Sequence, residues 1–170
     1  SVTELAKTNP EAVVVRKDEL LSGKSVSEET LMAVVNAYNT LGSAALKVKN
    51  YNEAEKQFKE SLVLDNKNKQ AKYGLAMIEG LRLFKKGNRS ALWDSLEKFG
   101  DATYFDPTKG DPYYWMGRAY EKKDDGDFEL IVEAYENALK GNLTSELKTE
   151  AENCLATVKI RQKTHESFWK

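Results

Sequence analysis

Three stretches of this chain repeat one another, and a chain that repeats itself must fold by packing one unit against copies of that unit. The stretches are YNTLGSAAL from Tyr38, YGLAMIEGL from Tyr73 and YYWMGRAYE from Tyr113. Each opens on a tyrosine. Three residues on stand Leu41, Ala76 and Met116, followed by Gly42, Met77 and Gly117, and then Ala45, Gly80 and Tyr120. A second segment follows each: Ala54, Phe58 and Ser61; Ser95, Phe99 and Ala102; Ile131, Tyr135 and Ala138. Small residues thus recur at fixed offsets from large ones, as they do where two segments approach closely and a ring fills the gap beside them.

The apolar spacing within each segment is helical. EAEKQFKESLVL puts Ala54, Phe58, Ser61 and Leu62 on one stripe, and FELIVEAYENAL does the same with Ile131, Tyr135, Ala138 and Leu139. AVVV is the one β-branched run of note, and it lies in a helical context. Pro10, Pro107 and Pro112 stand where helices begin or end, and SVSE and NYNE fit a capping box. Gly23, Gly87, Gly110, Gly126 and Gly141 fall between the periodic segments. These marks predict about eight helices, near 11–22, 27–48, 51–65, 69–86, 89–105, 111–124, 127–140 and 145–167, with ends good to ~2–4 residues. The fold class is all-α.

The pattern resembles the tetratricopeptide repeat, a helix–turn–helix unit of ~34 residues with the signature W-x₂-L-G-x₂-Y…A-x₃-F…P. The first copy matches in length and in most positions. The second carries Ala76-Met77 in place of Leu-Gly and extra residues near FKKGNRS, and the third keeps Met116-Gly117 and Tyr120 with an insertion at DDGD. The resemblance implies one domain: a capping region over 1–34, three stacked helix pairs over 35–143, and a capping helix over 144–170. Gly42, Ala45, Gly80 and Gly117 would let paired helices approach, and the aromatics would fill the gaps between pairs. Most of the aromatic run YYW is then structural. PEAVVVRKDELL would cover the front of the stack. The last helix would cover the back with Leu147, Ala151, Leu155 and Val158.

Members of this family bind extended or helical peptides in a concave groove lined by the first helix of each pair. With the tyrosines on the packed side, the neighbouring row falls one, five and nine residues on. That row is Asn39, Ser43 and Lys47, then Gly74, Ile78 and Arg82, then Tyr114, Arg118 and Lys122. Tyr113 already fills the packing position, so Tyr114 is read as a free aromatic platform on the binding face. The cations Lys47, Arg82 and Lys122 have two readings, as ligand contacts or as compensation of helix dipoles near C-termini. The Lys/Asn carboxylate clamp of some members does not carry over, because Asn39 and Ser43 occupy the positions of its first Lys and Asn. Chaperone C-terminal tails are therefore poor ligands. The expected partner is a protein or peptide, bound by a monomer; the alternative is a structural unit that self-assembles through its terminal helices, with the FWK terminus as contact.

Composition narrows the function further. Lys plus Arg number 26 against 27 Asp plus Glu, a net charge of −1, which argues against general binding of nucleic acid. Hydrophobic residues at 41% and charged ones at 31% give a soluble globular balance, and no apolar run approaches the ~20 residues that span a bilayer. SVTELAKTNP has neither a basic nor an apolar leader region, and the chain begins without Met, so both a cytoplasmic and a processed, exported protein remain open. Cys154 is the single cysteine and His165 the single histidine, both in the last predicted helix. They are read as an inert buried thiol and a surface imidazole, and no catalytic residue, metal site or cofactor is expected. KKDDGD lacks the ligand spacing of a calcium loop, and NRS at Asn88 and NLT at Asn142 are glycosylation triplets of the kind that arise by chance.

Overall fold

The structure is a computed structural model that describes residues 1–123 and 126–170. Asp124 and Asp125 of the KKDDGD turn lie outside the described residues. Ten helices run through the rest: α1 (Val2–Thr8), α2 (Pro10–Val15), α3 (Lys17–Leu21), α4 (Glu28–Lys47), α5 (Tyr51–Leu64), α6 (Lys69–Lys86), α7 (Arg89–Phe105), α8 (Asp111–Lys123), α9 (Phe128–Lys140) and α10 (Ser145–Phe168). No strand occurs among the described residues, and the chain is all-α.

Side-chain caps set most of the starts. Asn9, Asn50, Asn68 and Asn88 each accept a backbone N–H three residues on, at 3.2, 3.4, 3.0 and 2.8 Å, so each satisfies one orphan donor of a first turn. Ser27, rather than Ser25, caps α4 by accepting from Thr30 at 3.1 Å. The sequence reading missed α1, which Ser1 caps through Glu4 N–H at 3.3 Å. It also joined α2 and α3 into one helix. The structure parts them at Arg16, whose N–H turns back to Val13 O at 3.1 Å in a tighter bond than the helical ladder makes. The three stiff β-branched valines ahead of it favour that break.

By packing, the described residues form two compact units, Ser1–Ile78 and Glu79–Lys170, divided inside α6. In the first unit, α1 and α2 close over α4: Ala6, Val13, Ala33, Val34, Ala37 and Tyr38 are buried in one cluster. A second cluster joins α5 and α6 through Ala54, Phe58, Ala71 and Ile78. In the second unit, Leu92, Leu96 and Ala119 pack with Phe84 and Met116. Tyr114, Ile131, Tyr135, Ala138, Ala151 and Val158 form the cluster beneath α10. Leu147 and Leu155 join that cluster at its edge, so the whole expected inner stripe of the last helix faces it.

Each glycine at a helix contact faces one ring. A Cβ on Gly42 would come within 2.8 Å of Phe58, one on Gly80 within 2.5 Å of Phe99, and one on Gly117 within 2.6 Å of Tyr135. Gly100 on α7 is the contrast, for a Cβ there would meet nothing within 4 Å. Gly100→Ala should therefore stabilise the protein by about 0.5–1 kcal/mol through helix propensity alone. Urea unfolding read by circular dichroism checks this, and a loss of stability would mean that the site is not open.

Candidate peptide-binding faces of the first helices

The glycine–ring pairs define the repeat register, and they correct it in the second copy. Gly42, Gly80 and Gly117 are equivalent, since each lies against the aromatic of the helix that follows. Aligning the tyrosines had matched Met77 with Gly42, three residues too early. The reason is physical: what recurs is the close helix–helix approach, and only a residue without a side chain permits it, whereas a tyrosine can be replaced by any space-filling group. In the corrected register the residues that match Ser43 and Lys47 are Leu81 and Lys85, not Ile78 and Arg82. Ile78 is 1% exposed and sits in the α5–α6 cluster, so it is core. Arg82 is half-buried and engaged with neighbours. Gly74, also in the expected row, is buried against the Phe58 ring. Pairing each helical glycine with a ring in the next helix, rather than starting from tyrosine, would have found this register.

In the first unit the expected contact Asn39 is 1% exposed and faces the start of α6. Its Nδ2 donates to Asn68 Oδ1 at 2.9 Å, the same oxygen that caps α6 by accepting from Ala71 N–H. Asn68 Nδ2 donates in turn to Asp65 Oδ2 at 3.1 Å. The Asn39 amide thus holds the entry of the next helix instead of meeting a ligand. Ser43 and Lys47 are exposed as expected. With Asn36 and Thr40 they share one face of α4, since at 3.6 residues per turn the four project within about 60°. Lys47 stands at the C-terminal end of that face, and exposed Glu29 in the first turn shares its phase at the other end.

In the second unit Tyr114 is 1% exposed and is not a free platform. Its ring lies 5.1 Å from Trp115 and 6.1 Å from Tyr135, centroid to centroid, under α10. Tyr114 takes the packed role expected of Tyr113, and Tyr113 is half-buried at the edge of the same cluster, because α10 covers the side that the sequence reading left open. Arg118 Nη1 donates to Tyr114 Oη at 2.9 Å, so the guanidinium is half-buried and committed. Burial raises the Tyr114 phenol above its ordinary pKa, although the guanidinium pulls the other way. Burial and donation to Glu121 push the Tyr135 phenol much further up. Glu121 Oε2 also stands 3.7 Å from Arg161 on α10. These polar groups tie α8, α9 and α10 together around Cys154, whose thiol burial also pushes up.

Lys122 is exposed but occupied. Its Nζ donates to Phe84 O in the last turn of α6 at 3.3 Å and lies 4.7 Å from the Phe84 ring centroid. Of the two readings of this cation, the geometry favours compensation of a helix C-terminus. Gly87 ends α6 beside it with φ +72, a left-handed conformation suited to glycine. Cys154 and His165 lie eleven residues apart on the single helix α10, about 16 Å along its axis, too far to act as nucleophile and base.

No protein-family model matches this sequence, and no curated protein matches it. Solved structures do. The chain resembles PcrH from Pseudomonas aeruginosa at 16% identity and a TM-score of 0.50, over 79% of this chain and 96% of that one. It resembles the 41-to-end part of MamA from Desulfovibrio magneticus RS-1 at 18% identity and a TM-score of 0.50, over 98% of this chain and 89% of that one. No helix among the described residues is long and apolar enough to cross a membrane. The fold of this chain is that of the tetratricopeptide-like helical repeats.

Proposed function

We propose that the chain is a non-enzymatic interaction module that binds a peptide or protein segment on the exposed face of α4. The observation that supports this reading best is the outer face of α4. Asn36, Thr40 and Ser43 present a run of small polar groups between Glu29 at one end of the face and Lys47 at the other. Such a face offers hydrogen bonds to a polypeptide backbone at little desolvation cost, and it has no packing role of its own. In the second unit, Leu81 and Lys85 hold the matching register positions on α6. Asn39, Ile78 and Tyr114 are buried and are left out of this reading, as are Arg118 and Lys122, which hydrogen-bond to Tyr114 Oη and to Phe84 O.

The test places a photo-crosslinking amino acid at Ser43 or, as a control on α5, at Lys59, and analyses captured proteins from the source organism by mass spectrometry. Crosslinks at Ser43 that Thr40→Arg reduces about tenfold are expected. Crosslinks confined to Lys59 would refute the assignment. A second reading, self-assembly through α10, draws on Ile160, Phe168 and Trp169, which are 68%, 79% and 74% exposed. Native mass that rises with concentration and falls in Trp169→Ala would favour it instead.

A further inference from the structure

We propose that the outward face of α7 is a second docking surface, shaped for a basic amphipathic helix of a protein partner. α7 runs seventeen residues, about 25 Å, enough for three turns or more of a partner helix. Trp93 is 52% exposed and Tyr104 75% exposed, and Gly100 lies between them. At 3.6 residues per turn, Gly100, Trp93 and Tyr104 project within about 40° of one another. Because the space over Gly100 is open, a partner backbone can come close there while the two rings flank it. Large exposed aromatics around a bare stretch of helix are the kind of feature that anchors interfaces.

Beside this aromatic edge runs an acidic one. Glu97, Asp101 and Asp94 project in the next ~60° and are exposed. None of the three forms an ion pair with a described residue. Lys98, the one cation between them in sequence, is turned away to Glu79 at 3.5 Å. Cations gather only at the start of the helix: Arg89 is there, and Lys123 places its Nζ 4.2 Å from the Trp93 ring centroid. The face is therefore apolar along one edge, negative along the other, and capped by positive charge at its N-terminal end. Its complement is a helix with an apolar stripe beside a Lys/Arg stripe, the basic residues falling opposite Glu97 and Asp101. This surface is separate from the face proposed above and does not depend on it.

The test uses the full chain and two synthetic, fluorescently labelled helical peptides, one with a Leu stripe beside a Lys stripe and one with Glu replacing every Lys. Anisotropy should show binding of the Lys peptide that weakens with salt. Trp93→Ala with Tyr104→Ala should weaken it about tenfold or more, and Gly100→Leu should weaken it by obstruction. Glu97→Lys with Asp101→Lys should abolish Lys-peptide binding and confer binding of the Glu peptide. Lys59→Ala should have no effect. All variants should keep the parent circular dichroism spectrum, and none should melt below the parent, Gly100→Leu gaining a little from helix propensity. Failure of the Lys peptide to bind at about 1 mM would overturn the proposal, as would equal binding to the parent and the charge-reversed chain. Self-association of the parent that Trp93→Ala abolishes would also overturn it, by making a second copy the occupant.

Discussion

Gly42→Leu is expected to lower the melting temperature by roughly 10 °C. The Phe58 ring is held between two glycines, Gly42 on α4 and Gly74 on α6, and a Cβ on either would fall inside contact distance of it. Phe58 is 1% exposed and cannot swing outward without losing the Ala54–Ala71–Ile78 cluster. Four added carbons at Gly42 must therefore separate α4 from α5. Overpacking of this kind costs about 3 kcal/mol, and a protein of this size loses roughly 2–4 °C per kcal/mol. Gly42→Ala should cost less, because the gain in helix propensity offsets part of the clash. Phe58→Leu should recover part of the loss in the Gly42→Leu background by making room. Thermal unfolding of the two single variants and the double variant measures the coupling. An unchanged melting temperature for Gly42→Leu would show that α4 and α5 do not meet at this glycine.

Removal of residues 145–170 is expected to leave a protein that aggregates or unfolds in part. α10 contributes Ala151 and Val158, which are 0% and 1% exposed, to the cluster that buries Tyr114, Ile131, Tyr135 and Ala138. Without it those side chains face water at a cost of about 1.5–3 kcal/mol for each large apolar group. Arg118, Tyr114 and Tyr135 would also lose the low-polarity setting that holds their hydrogen bonds. A repeat array with a bare end is poorly soluble for the same reason. Light scattering and binding of a hydrophobic dye should both rise. Val158→Asp, which keeps the chain length, should lower stability by several kcal/mol through a buried charge. A truncated chain that stays monomeric and as stable as the parent would make α10 an appendage.

Sequence alone determined the helical class, the pairing of helices and the inner stripe of the last helix, because these depend on local periodicity and on caps that act within three or four residues. Leu147, Ala151, Leu155 and Val158 could be read from spacing, as could the cap at Asn50. The register of the second repeat and the direction of Tyr114, Asn39 and Ile78 could not. Each depends on which side of a helix its neighbour covers, and one residue of helical phase turns a side chain by about 100°. Tyr113 and Tyr114 are equally good core residues by type, and only the arrival of α10 over α8 decides between them. Gly80 lies three residues from the position that the tyrosines suggest, and it is the Phe99 ring, brought to it from the next helix, that identifies it. The same holds for the cations: Lys47 and Lys122 both stand in the last turn of their own helices, but Lys122 also reaches a carbonyl and a ring in the last turn of α6. The exposed rings of Trp93 and Tyr104 were hidden for the opposite reason. Nothing in a sequence distinguishes an aromatic that a neighbour covers from one that no neighbour reaches, since that difference belongs to the packing of whole helices and not to the spacing within one.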